Sequence, residues 1–246
     1  DTSALKSSLL TVIISVLVML CTAILGKVIY RHREERKAKV FRYGLVNSNA
    51  LFIGLPIIQS LLGDAGVLQL SMYMIFVRMF CWSYGLSLYT GVKSDWKGSF
   101  KRLLTHPCMI AAALGVAAMV TGIRLPAFLD RTLQYVSSCL MALSMLLIGV
   151  VLSEIKLKEV FRGDVWRFTA LRLGVMPGIV FGLCKLCGVP YIVTATCTLV
   201  SGMPAASLTA VLAARYHGDS ELGALLVAVS TILSAVTIPL WFMILQ

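Results

Sequence analysis

Charge is scarce in this chain, and acidic charge is scarcer still. Only 13% of the 246 residues are charged and only 11 are Asp or Glu, where a soluble domain carries about 25% charged residues. Every acid sits between apolar runs or at their ends: Asp1, Glu34, Glu35, Asp64, Asp95, Asp130, Glu154, Glu159, Asp164, Asp219 and Glu221. That leaves no carboxylate at mid-membrane depth, where protons and coupling ions are usually handled. The three histidines, His32, His106 and His217, also lie at the ends of apolar runs with no carboxylate joined to them, so no acid–base set is in reach and no catalytic residue is assigned. The seven cysteines are odd in number and lack secretory spacing, which excludes a disulfide framework. Cys184 and Cys187 form a CxxC without a second Cys or His pair. Structural zinc wants four ligands, so all seven read as reduced packing residues and no metal or cofactor is expected. No signal peptide is recognisable, and a chain beginning at Asp1 is expected to lack its amino-terminal end.

What fills the chain instead is apolar: 59% of residues are hydrophobic and the mean hydropathy is +0.89. The fold class is therefore all-α, a polytopic helical membrane protein. The net charge of +11 does not point to nucleic acid, because the basic residues lie in short stretches between apolar runs. Runs of about 20 residues place eight spans at 4–29, 41–62, 66–91, 104–123, 130–152, 166–187, 190–214 and 220–245. Under alternation, one set of loops collects sixteen Lys and Arg, including Arg31, Arg33, Arg36, Lys93, Lys156 and Arg215, against four on the other side. The rich side is cytosolic, with 31–43, 93–102 and 153–167 inside and both termini outside.

Two of the spans are interrupted alike. Gly54-Leu55-Pro56 and Gly202-Met203-Pro204 break their segments at the centre, and Gly63-Asp64 and Gly218-Asp219 follow. Proline lacks a backbone N–H and collides with the preceding turn, and lipid satisfies no freed backbone group, so such breaks belong at a cavity. Spans one to three and six to eight share the order plain, broken, long, and enter the membrane from opposite sides. They form an inverted repeat of which eight spans are here and ten are expected.

The segment Asn49-Ala50-Leu51-Phe52-Ile53-Gly54-Leu55-Pro56 resembles the N-x-G-F-x-G-L-P segment of the auxin efflux carrier family, with Leu51 where that family usually has Gly. Gly202-Met203-Pro204-Ala205-Ala206, and then Ala214 through Leu222, are similar to its last two spans, with Ala205 where a second Pro is common. The family includes malonate and malate permeases, and the resemblance covers nearly the whole chain, lacking the first two spans. It implies a transport domain made from 1–92 and 164–246, part of a scaffold domain at 103–153, and a substrate held where the broken helices cross. A homodimer through the scaffold domain is left open.

Candidate binding residues follow from the breaks. Helices restarting at Pro56 and Pro204 would aim N–H groups at the midplane and attract anions, while the first halves end there in carbonyls of opposite sign. Asn47 and Asn49 precede the first break, and Ser201 and Ser207 flank the second. Asn49 matches the asparagine that the resemblance implicates in binding. Ser230, Ser234 and Thr237 share one helical face, which also fits interhelical hydrogen bonding. Arg78 lies near the centre of its span with no acid at that depth, with Ser71 and Gly85 seven residues to either side, so it is a candidate for an anionic substrate. Arg172 reads as a structural residue nearer the cytosol, snorkelling outward. Gly174, Gly178 and Gly182 read as a helix-packing stripe. The substrate-binding set is thus Asn47, Asn49, Gly54, Pro56, Arg78, Ser201, Gly202, Pro204, Ser207 and Ser234.

The expected function is secondary transport of a small organic anion, a carboxylate, by alternating access in the bilayer of a bacterial cytoplasmic membrane. The alternatives are a sodium- or proton-coupled symporter of the related bile-acid and cation-antiporter fold, and a non-transporting receptor.

Overall fold

The computed structural model describes residues 2–90, 110–111, 114–115, 117–118, 121–122, 125–153 and 161–246, and they are helical apart from short connections. Most of the span expected at 104–123, the loop at 93–102 and much of 153–167, with their lysines, lie outside the described residues.

Helix α1, Thr2–Ile29, shows how the bilayer reverses ordinary helix patterning. Its buried face carries Thr11, Ser15, Met19 and Thr22, while Leu9, Leu17, Ile24 and Val28 point outward. Lipid is as apolar as leucine, so what earns a place against another helix is small size or a hydroxyl that finds a carbonyl. Thr11 Oγ1 donates to Gln69 Oε1 at 2.6 Å and Thr22 Oγ1 to Met19 O at 2.9 Å.

Helix α2, Glu35–Val46, stops well short of a span. After an unwound stretch the chain makes a π-helical turn at Ala50–Gly54 and enters α3, Leu55–Phe80, followed by a second π turn at Cys81–Gly85 and α4, Leu86–Thr90. A straight helix of the 41 residues from Ala50 to Thr90 would run roughly 60 Å, twice the hydrocarbon core. Gly63 prevents that: with φ 63° and ψ −158° it reverses the chain inside α3, a conformation open to glycine and strained for other residues. The sequence boundary between spans ending at 62 and starting at 66 therefore has its cause in Gly63.

Helix α5, Ala127–Ser153, touches the Ala50–Gly54 turn and α10 but keeps its described side chains outward. The second half comprises α6, Gly163–Ala170, a π turn at Leu171–Val175, α7, Met176–Leu186, α8, Tyr191–Ser201, α9, Leu208–Arg215, and α10, Ser220–Leu245. Helix α8 is the centre of the packing. It is buried from Val193 to Ser201 and lies against α1, α3, α7 and α10. Asp219 starts α10 by accepting from Leu222 N at 2.9 Å, an N-cap carboxylate at a helix start.

Among the described residues, four helical stretches are long and apolar enough to cross a membrane: Lys6–Ile29, Ala50–Thr90, Gly163–Leu186 and Ser220–Leu245. The expected spans 41–62 and 190–214 fall short for a reason already given, since each is split in two. Of the glycine stripe only Gly178 has a neighbour, Trp241 at 3.5 Å from a Cβ built there; Gly174 and Gly182 face open space. Among the described residues the close helix seam expected along that stripe is therefore seen only at Gly178.

Parts of three basic stretches that are described, around Arg36, Phe168 and His217, meet one another. Arg36 Nε donates to His217 O at 3.2 Å, Tyr30 stacks on Phe41 at 4.5 Å, and Phe41 meets Phe168 of α6 at 6.0 Å. On that surface Lys39 sits 2.9 Å from Glu35, and its hydrogen bond and charge hold the Glu35 carboxyl below the usual range.

Candidate functional site

Helix α2 ends as Asn47 N donates to Tyr43 O at 2.9 Å and Asn47 itself takes extended geometry. From there the chain runs antiparallel to the second interruption. Asn49 N donates to Pro204 O at 2.8 Å and Ala206 N to Asn47 O at 3.2 Å, with Ser48 facing Ala205 across the bridge. Each break thus supplies backbone partners that the other has lost and that lipid does not provide. Ala205 N is instead taken by Ser230 Oγ at 3.1 Å, and that hydroxyl donates to Leu226 O at 2.6 Å. The helices then resume: Asn49 O accepts from Ile53 N and Gly54 N at 3.1 and 3.3 Å, and Ala206 O from Thr209 N at 2.8 Å.

The second interruption lies at Gly202-Met203-Pro204, where the sequence places it. The first does not lie at Gly54-Leu55-Pro56. It is at Asn47-Ser48-Asn49, about two turns earlier, and the helix start that faces the crossing is Ala50 and not Pro56. The physical reason is the π turn at Ala50–Gly54: it takes up an extra residue just ahead of Pro56, so the proline is carried inside a continuous helical run that begins at Ala50 and does not break it. Gly54 still has a role at the crossing, since a Cβ there would meet Met203 Cε at 3.4 Å.

Arg172 corrects a second expectation. It is not at the cytosolic edge; only 2% of it is exposed. Carried by the π turn at Leu171–Val175, its Nε donates to Met203 O at 3.0 Å and its Nη1 to Leu45 O. One guanidinium therefore joins the carbonyls of both broken helices.

The other candidates separate into three places. Asn47, Asn49, Gly54, Ser201, Gly202 and Pro204 are at the crossing. Asn47 spends its Nδ2 on Tyr43 Oη at 2.9 Å, and Tyr43 packs edge-on to Tyr89 at 5.6 Å and against Gly85. Asn49 is 2% exposed and its Oδ1 has no partner among the described residues. Ser201 Oγ donates to Thr198 O at 2.8 Å within α8, and Ser207 precedes α9 without a side-chain cap bond. Pro56 and Ser234 lie apart, lining a mostly apolar cavity of about 670 Å³ with Ile53, Ser60, Thr231 and Phe242. Ser234 Oγ is occupied by Thr231 O at 2.7 Å. Arg78 is half-buried within electrostatic reach of Tyr43 and Cys81; the inward face expected around it holds for Gly85, which is buried, and fails for Ser71, which is exposed.

Sequence reasoning missed Arg172 and Tyr43 as crossing residues, and saw Ser230 only as one member of a polar stripe. Arg172 did carry a signal, since it is the second basic residue inside a span with no acid to pair with. Further unspent groups sit nearby in sequence: the hydroxyls of Thr196 and Thr198 in α8 and of Thr209 in α9 are buried without partners among the described residues. Such a site offers neutral amides, hydroxyls, helix ends and one fixed cation, which suits holding a polar solute.

The chain matches the model of a family described as membrane transport protein over residues 2–99 and 96–242. It is 27% identical over 229 residues to an uncharacterized transporter of Methanocaldococcus jannaschii, covering 89% of this chain and 71% of that protein. It is also 27% identical over 240 residues to an uncharacterized transporter of Methanothermobacter thermautotrophicus, covering 95% of this chain and 78% of that protein.

Proposed function

This chain belongs to the membrane transport protein family, that of the auxin efflux carriers its motifs resemble, and is a multi-pass membrane transporter; from that premise we propose that it moves a small organic anion, a carboxylate, by alternating access at the crossing of its two broken helices. The observation that carries the charge of the substrate is Arg172: a buried guanidinium at the crossing bonded to two neutral carbonyls, with no carboxylate partner among the described residues. Two half-helices also begin there, at Ala50 and Leu208, and their starts carry partial positive charge. The resulting local field favours an anion. Arg78, half-buried near Tyr43, adds a second positive charge toward the first broken helix. Residues 1–92 and 164–246 would move as the transport domain against a scaffold that includes 103–153, in a bacterial cytoplasmic membrane.

The test is a binding screen of purified full-length protein against small mono- and dicarboxylates and their amides. A saturable carboxylate signal that its amide lacks is the expected result, and Arg78→Gln should weaken it about ten-fold or more while Arg78→Lys keeps part of it. Equal binding of acid and amide would remove the anion from the reading.

A further inference from the structure

Carriers built on interrupted helices use the carbonyl ends of their half-helices and unwound backbone to hold coupling cations. Here both kinds of carbonyl are present and both are already taken. Leu45 O belongs to the last turn of α2, where intrahelical donors have run out. Met203 O lies in the unwound strand after α8. The two oxygens come from opposite halves of the chain, and the group that binds both comes from a third element, the π turn at Leu171–Val175. A π turn inserts one residue and re-aims the side chains around it. Burying a guanidinium to 2% exposure costs several kcal/mol unless strong acceptors replace its water, and the two helix-end carbonyls are those acceptors.

Resting on the transporter reading above, we infer that Arg172 is a tethered cation that fills the place at the crossing where a coupling sodium ion would bind, so that the crossing is assembled without one. Its full charge more than offsets the partial negative ends of both broken helices, so the remaining positive charge adds to the helix starts at Ala50 and Leu208 toward substrate. A free cation would compete for Leu45 O and Met203 O against a guanidinium that is covalently present at all times, and would meet its repulsion. The arginine also ties the two interruptions to each other and to α7, so they move as one body.

The measurement is thermal unfolding of the full-length protein in detergent, in sodium, lithium, potassium or choline chloride at fixed ionic strength and without substrate. Wild type should melt at the same temperature, to about 1 °C, in sodium and in choline. Arg172→Ala should melt lower and regain about 2–4 °C, saturably, with sodium or low-millimolar guanidinium, because the emptied carbonyls then accept a free ion. Arg172→Lys should remain indifferent to the salt. Should Arg172→Ala yield no monodisperse protein, Arg172→Gln, which keeps donors and loses the charge, is read in the same way. Saturable stabilisation of wild type by sodium would overturn the inference, and so would a folded Arg172→Ala or Arg172→Gln that ignores every cation. Since no substrate is present, failure of the carboxylate reading leaves these melts unchanged, and a sodium-stabilised wild type leaves the carboxylate reading standing.

Discussion

At the second crossing each N–H from Gly202 to Ala206 has a fixed acceptor, in α8 for Gly202 and Met203, in Ser230 for Ala205 and in Asn47 for Ala206, with Pro204 contributing none. At the first interruption the backbone of Asn49 is likewise paired, but among the described residues its Oδ1 is buried without a partner, and the side-chain tie from another element, Arg172, reaches Leu45 O just ahead of the strand. The backbone N–H groups of the second interruption are fully paired, with spare hydroxyls only in the flanking helices at Thr196, Thr198 and Thr209, whereas at the first an amide oxygen in the unwound strand itself is left over among the described residues. An unsatisfied buried acceptor costs free energy in the empty state and returns it when a ligand supplies a donor, such as a hydroxyl on the solute, while the same amide's Nδ2 is a donor suited to a carboxylate. On the proposed function, this comparison would put substrate contact chiefly at the first interruption and mechanical closure at the second.

The largest effect should come from Asn49→Ala. It removes the amide at the crossing whose Nδ2 is the group able to donate to a carboxylate, and whose Oδ1 has no partner among the described residues, so carboxylate binding should fall at least about ten-fold while the melting temperature shifts by no more than about 1 °C. Calorimetric binding together with a thermal melt checks both halves. Intact binding with a melt lowered by several degrees would reverse the two roles.

Ser230→Ala should do the opposite. It orphans Ala205 N–H in a buried strand, which costs about 1–3 kcal/mol, and leaves the first crossing untouched. Denaturation of the reconstituted protein measures it. An unchanged stability would mean that Ala205 N–H finds another partner and that the second crossing is not closed by its side chain.

How far these crossings were legible in the sequence differs for the same reason that their chemistry differs. The second is written locally: glycine and proline stand at the interruption, and Ser201 ends α8 beside them. The turn at Gly63 is local too, needing a positive φ that the residue type announces. The first crossing is set from a distance. Asn47 to Asn49 contains neither glycine nor proline, and it unwinds because Pro204 O and Ala206 N lie alongside it, a pairing between residues more than 150 apart in sequence. The conspicuous Gly-Leu-Pro that follows is absorbed by a π turn, which no 3.6-residue periodicity foresees. A second π turn places Arg172 in the core, where helical register alone suggests a side chain bound for the membrane surface. Among the described residues the helices, most span ends and the second break were therefore readable, and the place of the first break and the residues aimed by long-range pairing or by π turns were not.

The smallest effect is a contrast between the glycines of the two crossings. Both have ordinary negative φ, −69° at Gly54 and −86° at Gly202, so an alanine at either is free of backbone strain and packing alone decides. A Cβ at Gly202 would lie 3.3 Å from both Cβ and Cγ of Pro177, ring atoms with almost no freedom to retreat. At Gly54 its nearest contact is Met203 Cε at 3.4 Å, the end of a flexible thioether chain that repacks readily. Gly202→Ala should therefore cost about 1 kcal/mol or more through overpacking. Gly54→Ala should be close to neutral, its small contact cost offset by up to about 1 kcal/mol of helix propensity. Paired melts of the two variants decide the matter. If Gly54→Ala is the more damaging, the first crossing is the rigid joint, and the division of labour between the two interruptions runs the other way.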